Sequence, residues 1–464
     1  MIDTETNYNK ALDYLYSFVD YSLRHSSELA KADFNLDRMF ALMEELGNPQ
    51  TKYPIIHVAG TKGKGSVCAL TASALHAAGY KVGLYTSPHL LDYTERIRIN
   101  SEPISHEFMI ELVEEIKPAV AKIPKLTTFE ITTALGFLAF ARKDVTAAVI
   151  EVGLGGRLDA TNVVTPKVSV ITSLSYDHMA VLGETLAKIA SEKAGIIKQG
   201  VPVVSGPQKD EALEVLERVA KQNNSFITLV GQDVLYVPID SSLDGQTFLV
   251  WFEQTIPGAF VRPQAYEFTI PLLGQHQIEN AATSFAALEA SGLEISDEAI
   301  QNGFAQVKWP ARFEVVRRDP PVILDSAHNQ DSFARLRETL EEHFPGKPVY
   351  LIFGASEDKN IPGMFAEMKP KIKRLIVTRA DHPRALEPEK IIELARQAGL
   401  ESEAAIPVES AFMRALENSE KDGSIVLSAG SMFVTAEAMR AWKKLSLTPT
   451  PLPLGEGRKV EERK

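Results

Sequence analysis

Cysteine is nearly absent: Cys68 is the single one in 464 residues. A lone thiol excludes an intrachain disulfide and any metal site built from several cysteines. No apolar run approaches the roughly 18 residues that a membrane-spanning helix needs. A basic tract is missing too. The 49 Lys and Arg are dispersed and outnumbered by 61 Asp and Glu, for a formal net charge of −12, which argues against nucleic acid as a partner. The N-terminal residues Met1-Ile2-Asp3-Thr4-Glu5 lack the basic start and apolar stretch of a secretory signal. They also lack the arginine-rich, acid-poor character of a transit peptide, so the expected location is the cytoplasm. No internal repeat points to a solenoid.

What is present is ordinary globular composition, 45% hydrophobic and 24% charged, enough for substantial cores. A single core usually stops growing near roughly 250–300 residues, so two or three domains are expected. Strand-like and helix-like runs alternate over the first two-thirds, the pattern of a parallel sheet covered by helices. Strands are expected at Ile55–Ala59, Lys81–Tyr85, Ala147–Ile150, Val168–Ile171 and Pro202–Val204. Helices are expected near 105–121, 129–142, 185–197, 275–290 and 297–307. Between residues 226 and 272 short strands follow one another without helices and read as antiparallel hairpins appended to the main sheet. After Lys308-Trp309-Pro310-Ala311-Arg312 a new alternating series begins.

The fold class is therefore α/β. A mostly parallel sheet with a small antiparallel extension is expected over residues 1–309, and a smaller Rossmann-like α/β domain over 310–445. The Pro-rich and charged residues 446–464 are expected to be a disordered tail.

Chemistry enters where the first strand ends, at Gly60-Thr61-Lys62-Gly63-Lys64-Gly65-Ser66, followed by the helix-like Val67–Leu75. Backbone N–H groups, a helix N-terminus and a lysine together hold a polyphosphate. A glycine-rich turn can be only a turn, but two lysines inside it and a helix behind it favour phosphate. The loop departs from G-x-x-x-x-G-K-[ST], with Val58 where the first glycine would stand and Gly65 where the metal-binding hydroxyl would stand. A nucleotide's magnesium must then be held largely from elsewhere. Ser87, Glu151 and His178 each follow a parallel strand, so their side chains can converge on the same sheet edge. By residue pattern alone, Glu151 reads equally as a cap or ion-pair partner, and His178 as a loop histidine. Lys193 lies in the apolar segment Ile189–Ile197, where burial would lower its pKa; the alternative is a surface lysine paired with Glu192. Gly153-Leu154-Gly155-Gly156 lacks the third glycine of a dinucleotide fingerprint, since Leu158 stands there.

These segments form an ordered series. After the glycine loop come Thr86-Ser87-Pro88-His89-Leu90, Glu151-Val152-Gly153-Leu154-Gly155-Gly156-Arg157-Leu158-Asp159-Ala160-Thr161-Asn162 and Asp177-His178. Then come Glu192-Lys193-Ala194-Gly195-Ile196, Leu273-Gly274-Gln275-His276-Gln277, Asn280-Ala281 and Leu324-Asp325-Ser326-Ala327-His328-Asn329. Over roughly residues 50–435 the series resembles folylpolyglutamate synthase and the bifunctional dihydrofolate synthase/folylpolyglutamate synthase of the Mur ligase superfamily.

The resemblance implies that Gly60, Thr61, Lys62, Gly63, Lys64, Gly65 and Ser66 hold ATP, with Asn280 at the adenine and Arg312 and Asp325 at the nucleotide. It implies two magnesium ions on Ser87, Glu151, His178 and a carbamylated Lys193. Folate or dihydropteroate would meet Phe129, Asp159 and Asn162. Lys64, Lys193 and His328 would serve catalysis, and His382-Pro383-Arg384-Ala385 is a further family-like loop. Two residues depart from the family: Lys62 replaces a common asparagine, and Ser326 a common glycine.

The implied reaction is ATP-dependent ligation of L-glutamate to a folate carboxylate through an acyl phosphate, by a monomer. A ligase acting on UDP-muramyl acceptors, and a nucleotide-dependent switch that ligates nothing, are the rival readings. Neither would need the segment Gly153–Asn162 in this form.

Overall fold

In the computed structural model, residues 3–20, 34–253 and 264–447 are described; the expected disordered tail lies almost wholly outside them. Eight strands form the first sheet: β1 (Ile55–Ala59), β2 (Val82–Tyr85), β3 (Ile97–Ile99), β4 (Glu102–Pro103), β5 (Ala147–Glu151), β6 (Val168–Ile171), β7 (Val203–Ser205) and β8 (Ile227–Leu229). Their order is β4-β3-β2-β5-β1-β6-β7-β8. Pairing is parallel from β2 to β8 and antiparallel only at β2/β3 and β3/β4. Every residue of β1, β2, β5 and β6 is buried, as unbroken apolar runs require when helices cover both faces. Since β1, β5 and β6 are parallel neighbours, the loops after them leave from one edge.

The hairpin strands β9 (Val234–Ser242), β10 (Gly245–Phe252) and β11 (Tyr266–Ile270) are antiparallel, ordered β11-β10-β9. They do not extend the large sheet, as the sequence suggested; they form a sheet of their own. Strand β10 explains why. Its alternation buries Gln246, Phe248 and Val250 and turns Thr247, Leu249 and Trp251 outward, so one face must pack on other elements rather than lie in a doubly covered sheet. Phe248 and Phe268 pack with Phe285 and Phe304 in the same core as the helix Lys64–Ala77. Cys68 is fully buried there.

The second lobe carries β12 (Glu314–Arg318), β13 (Pro321–Leu324), β14 (Val349–Phe353), β15 (Ile372–Val377), β16 (Ser402–Ala404) and β17 (Ile425–Ala429). The order is β12-β13-β17-β14-β15-β16, parallel except at β12/β13. Two apolar clusters cover its faces, one around Phe333, Phe353 and Phe365 and one around Phe412 and Val434. Among the described residues no helix is long and apolar enough to cross a membrane.

Between the lobes the chain passes through Trp309, Ala311, Arg312 and Phe313. Ala311 and Phe313 have φ of 57° and 48°, a left-handed backbone that side-chain-bearing residues adopt only under constraint. The constraint is visible. Ser326 N–H donates to Ala311 O at 3.0 Å, and Phe313 N–H donates to the Asp325 carboxylate at 2.7 Å.

Candidate active site

The glycine loop after β1 is buttressed by the segment after β6. The N–H groups of Thr61 and Lys62 both donate to Ser173 O, at 3.0 and 3.1 Å, and Thr172 Oγ1 donates to Lys62 O at 2.6 Å. Those two N–H groups are thus already engaged. Those left for an anion include the N–H groups of Lys64, Gly65 and Ser66, in the first turn of the helix Lys64–Ala77, which have no intrahelical carbonyl to accept them. Two of the loop's glycines are required. A Cβ on Gly60 would lie 1.8 Å from Thr172 Oγ1, and one on Gly63, at φ 83°, would lie 2.2 Å from Asn280 Oδ1.

A cleft of about 290 Å³ opens over this loop, and both lobes line it. The first lobe contributes Gly60 to Ser66, Ser87, Glu151, His178, Lys193 and Asn280; the second contributes Arg312, Asp325 and His328. Lys64 Nζ stands 4.0 Å from Glu151 Oε1, while Glu151 Oε2 accepts the Ser87 N–H at 3.0 Å. Burial raises the Glu151 carboxyl, against the lowering pull of Lys64. Lys193 is buried and donates to Gly60 O at 2.7 Å. Its neighbour Glu192 pairs instead with Arg157 at 2.9 Å. Burial, with Lys64 nearby, pushes the Lys193 amine down to about 7. His328 donates from Nδ1 to Ser326 O at 2.9 Å and accepts Lys62 Nζ on Nε2 at 3.1 Å. Lys62, with burial, drives the imidazole down to about 4, so the ring is a neutral acceptor at Nε2.

Three residues sit differently from expectation. Phe129, Asp159 and Asn162 do not line the cleft. Phe129 packs against Gly153, where a Cβ would approach its ring to 2.4 Å. Asp159 is buried with both oxygens occupied: Oδ1 accepts Thr161 N–H and Oγ1–H at 3.0 and 2.6 Å, and Oδ2 accepts Leu154 N–H at 2.8 Å. Asn162 Nδ2 donates to Arg157 O and Gly195 O, both at 3.0 Å. These side chains hold the loop from behind, while Gly153, Leu154 and Gly155 form the cleft wall. Asn280 borders the cleft, but its Nδ2 donates to Gln277 Oε1 at 3.0 Å and its Oδ1 faces Gly63. The second-lobe loop with His382 and Arg384 lies elsewhere: His382 stacks on Phe433 at 4.0 Å and Arg384 pairs with Asp358.

Asp177, to which the residue pattern assigns no role, also lines the cleft and joins the two lobes. Lys62 reaches its Oδ2 at 3.1 Å, and Lys359 of the second lobe reaches its Oδ1 at 2.9 Å. Burial alone would raise this carboxyl; His328, Lys62 and Lys359 together hold it far below the usual range. Lys359 follows β14 at the carboxyl edge of the second sheet, a topological position that marks ligand-facing residues.

Among the described residues no three His, Cys, Asp or Glu side chains gather closely enough to hold a metal unaided. The donor set here nevertheless suits magnesium. That ion is commonly held by one or two carboxylates, with phosphate oxygens and water completing its shell, and Glu151 has one oxygen with no hydrogen bond beside the phosphate loop.

Comparison with known proteins agrees with this architecture. Residues 58–288 match the Mur ligase middle domain, and residues 311–432 match the glutamate ligase domain of Mur ligases. The dihydrofolate synthase/folylpolyglutamate synthase of Bacillus subtilis is 36% identical over 419 residues, covering 88% of this chain and 95% of that protein. The Mycobacterium tuberculosis folylpolyglutamate synthase solved with ADP superposes with a TM-score of 0.85 at 32% identity, covering 95% and 99% of the two chains. Escherichia coli FolC, solved with DHPP and ADP, gives 0.81 at 30% identity, covering 96% and 100%.

Proposed function

Since the chain belongs to the dihydrofolate synthase/folylpolyglutamate synthase family of ATP-dependent Mur-type ligases, we propose that it joins L-glutamate to a carboxylate of a reduced folate, and of dihydropteroate, as a cytoplasmic monomer. The observation that carries this reading is the shared cleft: phosphate loop, Glu151, Ser87 and Lys193 on one wall, Arg312, Asp325 and His328 on the other.

A carboxylate is a poor acylating agent, because its leaving group would be oxide. Phosphorylation by ATP supplies a better one, and the amine of glutamate then displaces phosphate through a tetrahedral intermediate. Lys64 neutralises charge on the transferring phosphoryl group, the largest single contribution available to such a step. The first-turn N–H groups of the helix Lys64–Ala77 orient the phosphates, and Arg312 faces them from the second lobe. Ser87, Glu151, His178 and a carbamylated Lys193 would hold magnesium, which supplies further charge neutralisation when bound. Glutamate attacks as its free amine, with no side chain assigned as its base; His328 instead holds Lys62 in the cleft, since its Nε2 already accepts from that ammonium. Closure of the lobes excludes water, which would otherwise hydrolyse the acyl phosphate.

The test supplies purified protein with ATP, magnesium and glutamate, adds tetrahydrofolate, dihydropteroate or a UDP-muramyl acceptor separately, and weighs the products. Gain of one glutamate on a folate acceptor, with oxygen from a labelled acceptor carboxylate appearing in phosphate, is the expected result. ADP release that ignores every folate acceptor would overturn it.

A further inference from the structure

His57 is a polar ring at the middle of the large sheet, and nothing in the chemistry above uses it. It lies on β1, paired in register with Ile150 of β5 and Ser169 of β6, and is wholly buried. Nε2 is 2.9 Å from Thr161 Oγ1. The Thr161 hydroxyl has one proton, and its 2.6 Å contact with Asp159 Oδ1 shows where it goes. Burial raises the Asp159 carboxyl, but the Leu154 and Thr161 N–H groups and the Thr161 hydroxyl all converge on its two oxygens and oppose that rise, so we take Asp159 as the acceptor of that contact. Thr161 oxygen must then accept from His57, which fixes the ring as the Nε2–H tautomer. Nδ1 is left as a bare lone pair, buried and without a partner among the described residues. Burial, with Lys198 nearby, pushes the ring down to about 3, so it stays neutral throughout the working range.

The chain of donors runs in one direction: His57 Nε2–H to Thr161, Thr161 O–H to Asp159 Oδ1, and Leu154 N–H to Asp159 Oδ2. Its far end is a cleft wall, because Gly153, Leu154 and Gly155 line the cavity. A second anchor holds the same loop from its other side. Arg157 N–H donates to Glu192 O at 2.8 Å, and a Cβ on Gly156 would lie 2.9 Å from the Glu192 and Lys193 carbonyls. The wall is therefore tied to the sheet centre by the His57 chain and to the Lys193 helix end by close backbone contact.

We infer that His57 is a positioning residue for the acceptor: through Thr161 and Asp159 it sets the height of the Gly153–Gly155 wall against which the acceptor lies. This rests on the proposed function, with the loop that carries Asp159 and Asn162, which the family resemblance sets against folate, taken as facing the acceptor. A packing role alone does not account for the ring. A buried, unpaired imidazole nitrogen is unfavourable, and an apolar side chain of similar size would avoid it.

The test compares wild type with His57→Leu, Thr161→Val, the double variant and His57→Gln, whose amide N–H can still donate to Thr161. Steady-state kinetics with tetrahydrofolate are read beside hydrogen exchange of residues 153–162 and thermal melting. His57→Leu and Thr161→Val should each raise the acceptor KM roughly five- to tenfold, as expected for one lost hydrogen bond. The KM for ATP and kcat should stay within about twofold, and exchange in the wall should quicken. The double variant should be no worse than either single one, because both break the same chain, and His57→Gln should restore most of the effect.

Additive effects, equal rises in the KM for ATP and for the acceptor, or an unchanged acceptor KM with only a lowered melting temperature would overturn the inference. If wild type itself turned over no folate, the functional reading would fail. Exchange in the wall would then decide the His57 chain separately, and unchanged exchange in both single variants would overturn it.

Discussion

Lys64 and Lys193 are two buried-cleft lysines asked to do opposite things. Lys64 faces Glu151 and must stay charged to neutralise phosphate. Lys64→Ala should lower kcat by about a hundred- to thousandfold, the usual effect of losing one electrostatic stabiliser, with thermal stability near that of wild type; near-normal turnover would contradict its role. Lys193 is held at about 7 by burial, whereas in the unfolded chain it titrates near the ordinary lysine value. Below about pH 7 it carries its proton in both states, and the full penalty of burying the charge is present. Above that the folded protein releases the proton first, so folding stability rises with pH until the unfolded chain also loses it. Lys193→Met should therefore stabilise the protein most below pH 7, with a gain that fades toward pH 10 in paired urea titrations. Its burial was legible from the apolar residues around it. The saturation of Asp159 was not, because nothing in a motif reveals that Leu154 and Thr161 already fill both carboxylate oxygens.

Elements were legible where the physics is local. The buried strands read as unbroken apolar runs, and the helix Thr128–Arg142 starts with the Thr127/Glu130 capping box. Strand β16 escaped notice because Ser402-Glu403-Ala404 is a short, polar edge whose pairing with β15 is supplied by its neighbour. The separateness of the β9–β11 sheet depends on aromatic packing between distant residues, which a hairpin pattern does not show. Two element-scale predictions follow from packing and strain. Phe248→Ala removes a ring from the Phe268–Phe285–Phe304 cluster and should cost about 3–5 kcal/mol of unfolding free energy, read by denaturant melts. Ala311→Gly should do the reverse. Glycine relieves a left-handed strain of about 1–2 kcal/mol but adds about 0.5–1 kcal/mol of unfolded-chain entropy, so the expected outcome is a slightly higher melting temperature with ATP affinity unchanged.

At the scale of the molecule, a net charge of −12 surrounds a cleft crowded with cations, and Asp177 reconciles the two lobes across it. Its carboxylate is the shared counter-ion of Lys62 and Lys359. Removing it should leave both ammonium groups facing each other. Asp177→Ala should therefore widen the ligand-free protein, seen as a larger radius of gyration in solution scattering that shrinks as salt screens the repulsion. An unchanged radius at low salt would show that this contact does not hold the lobes together. The two-lobe plan could be read from the alternation of strands and helices, whereas this contact could not, since Asp177 and Lys359 meet only after both sheets exist. The burial of Cys68 has a practical side. With one sulfhydryl in the whole chain, and that one sealed behind the nucleotide loop, a slow thiol-labelling reagent would act as a single-site stopwatch, timing how often the first lobe breathes open and how firmly ATP keeps it shut.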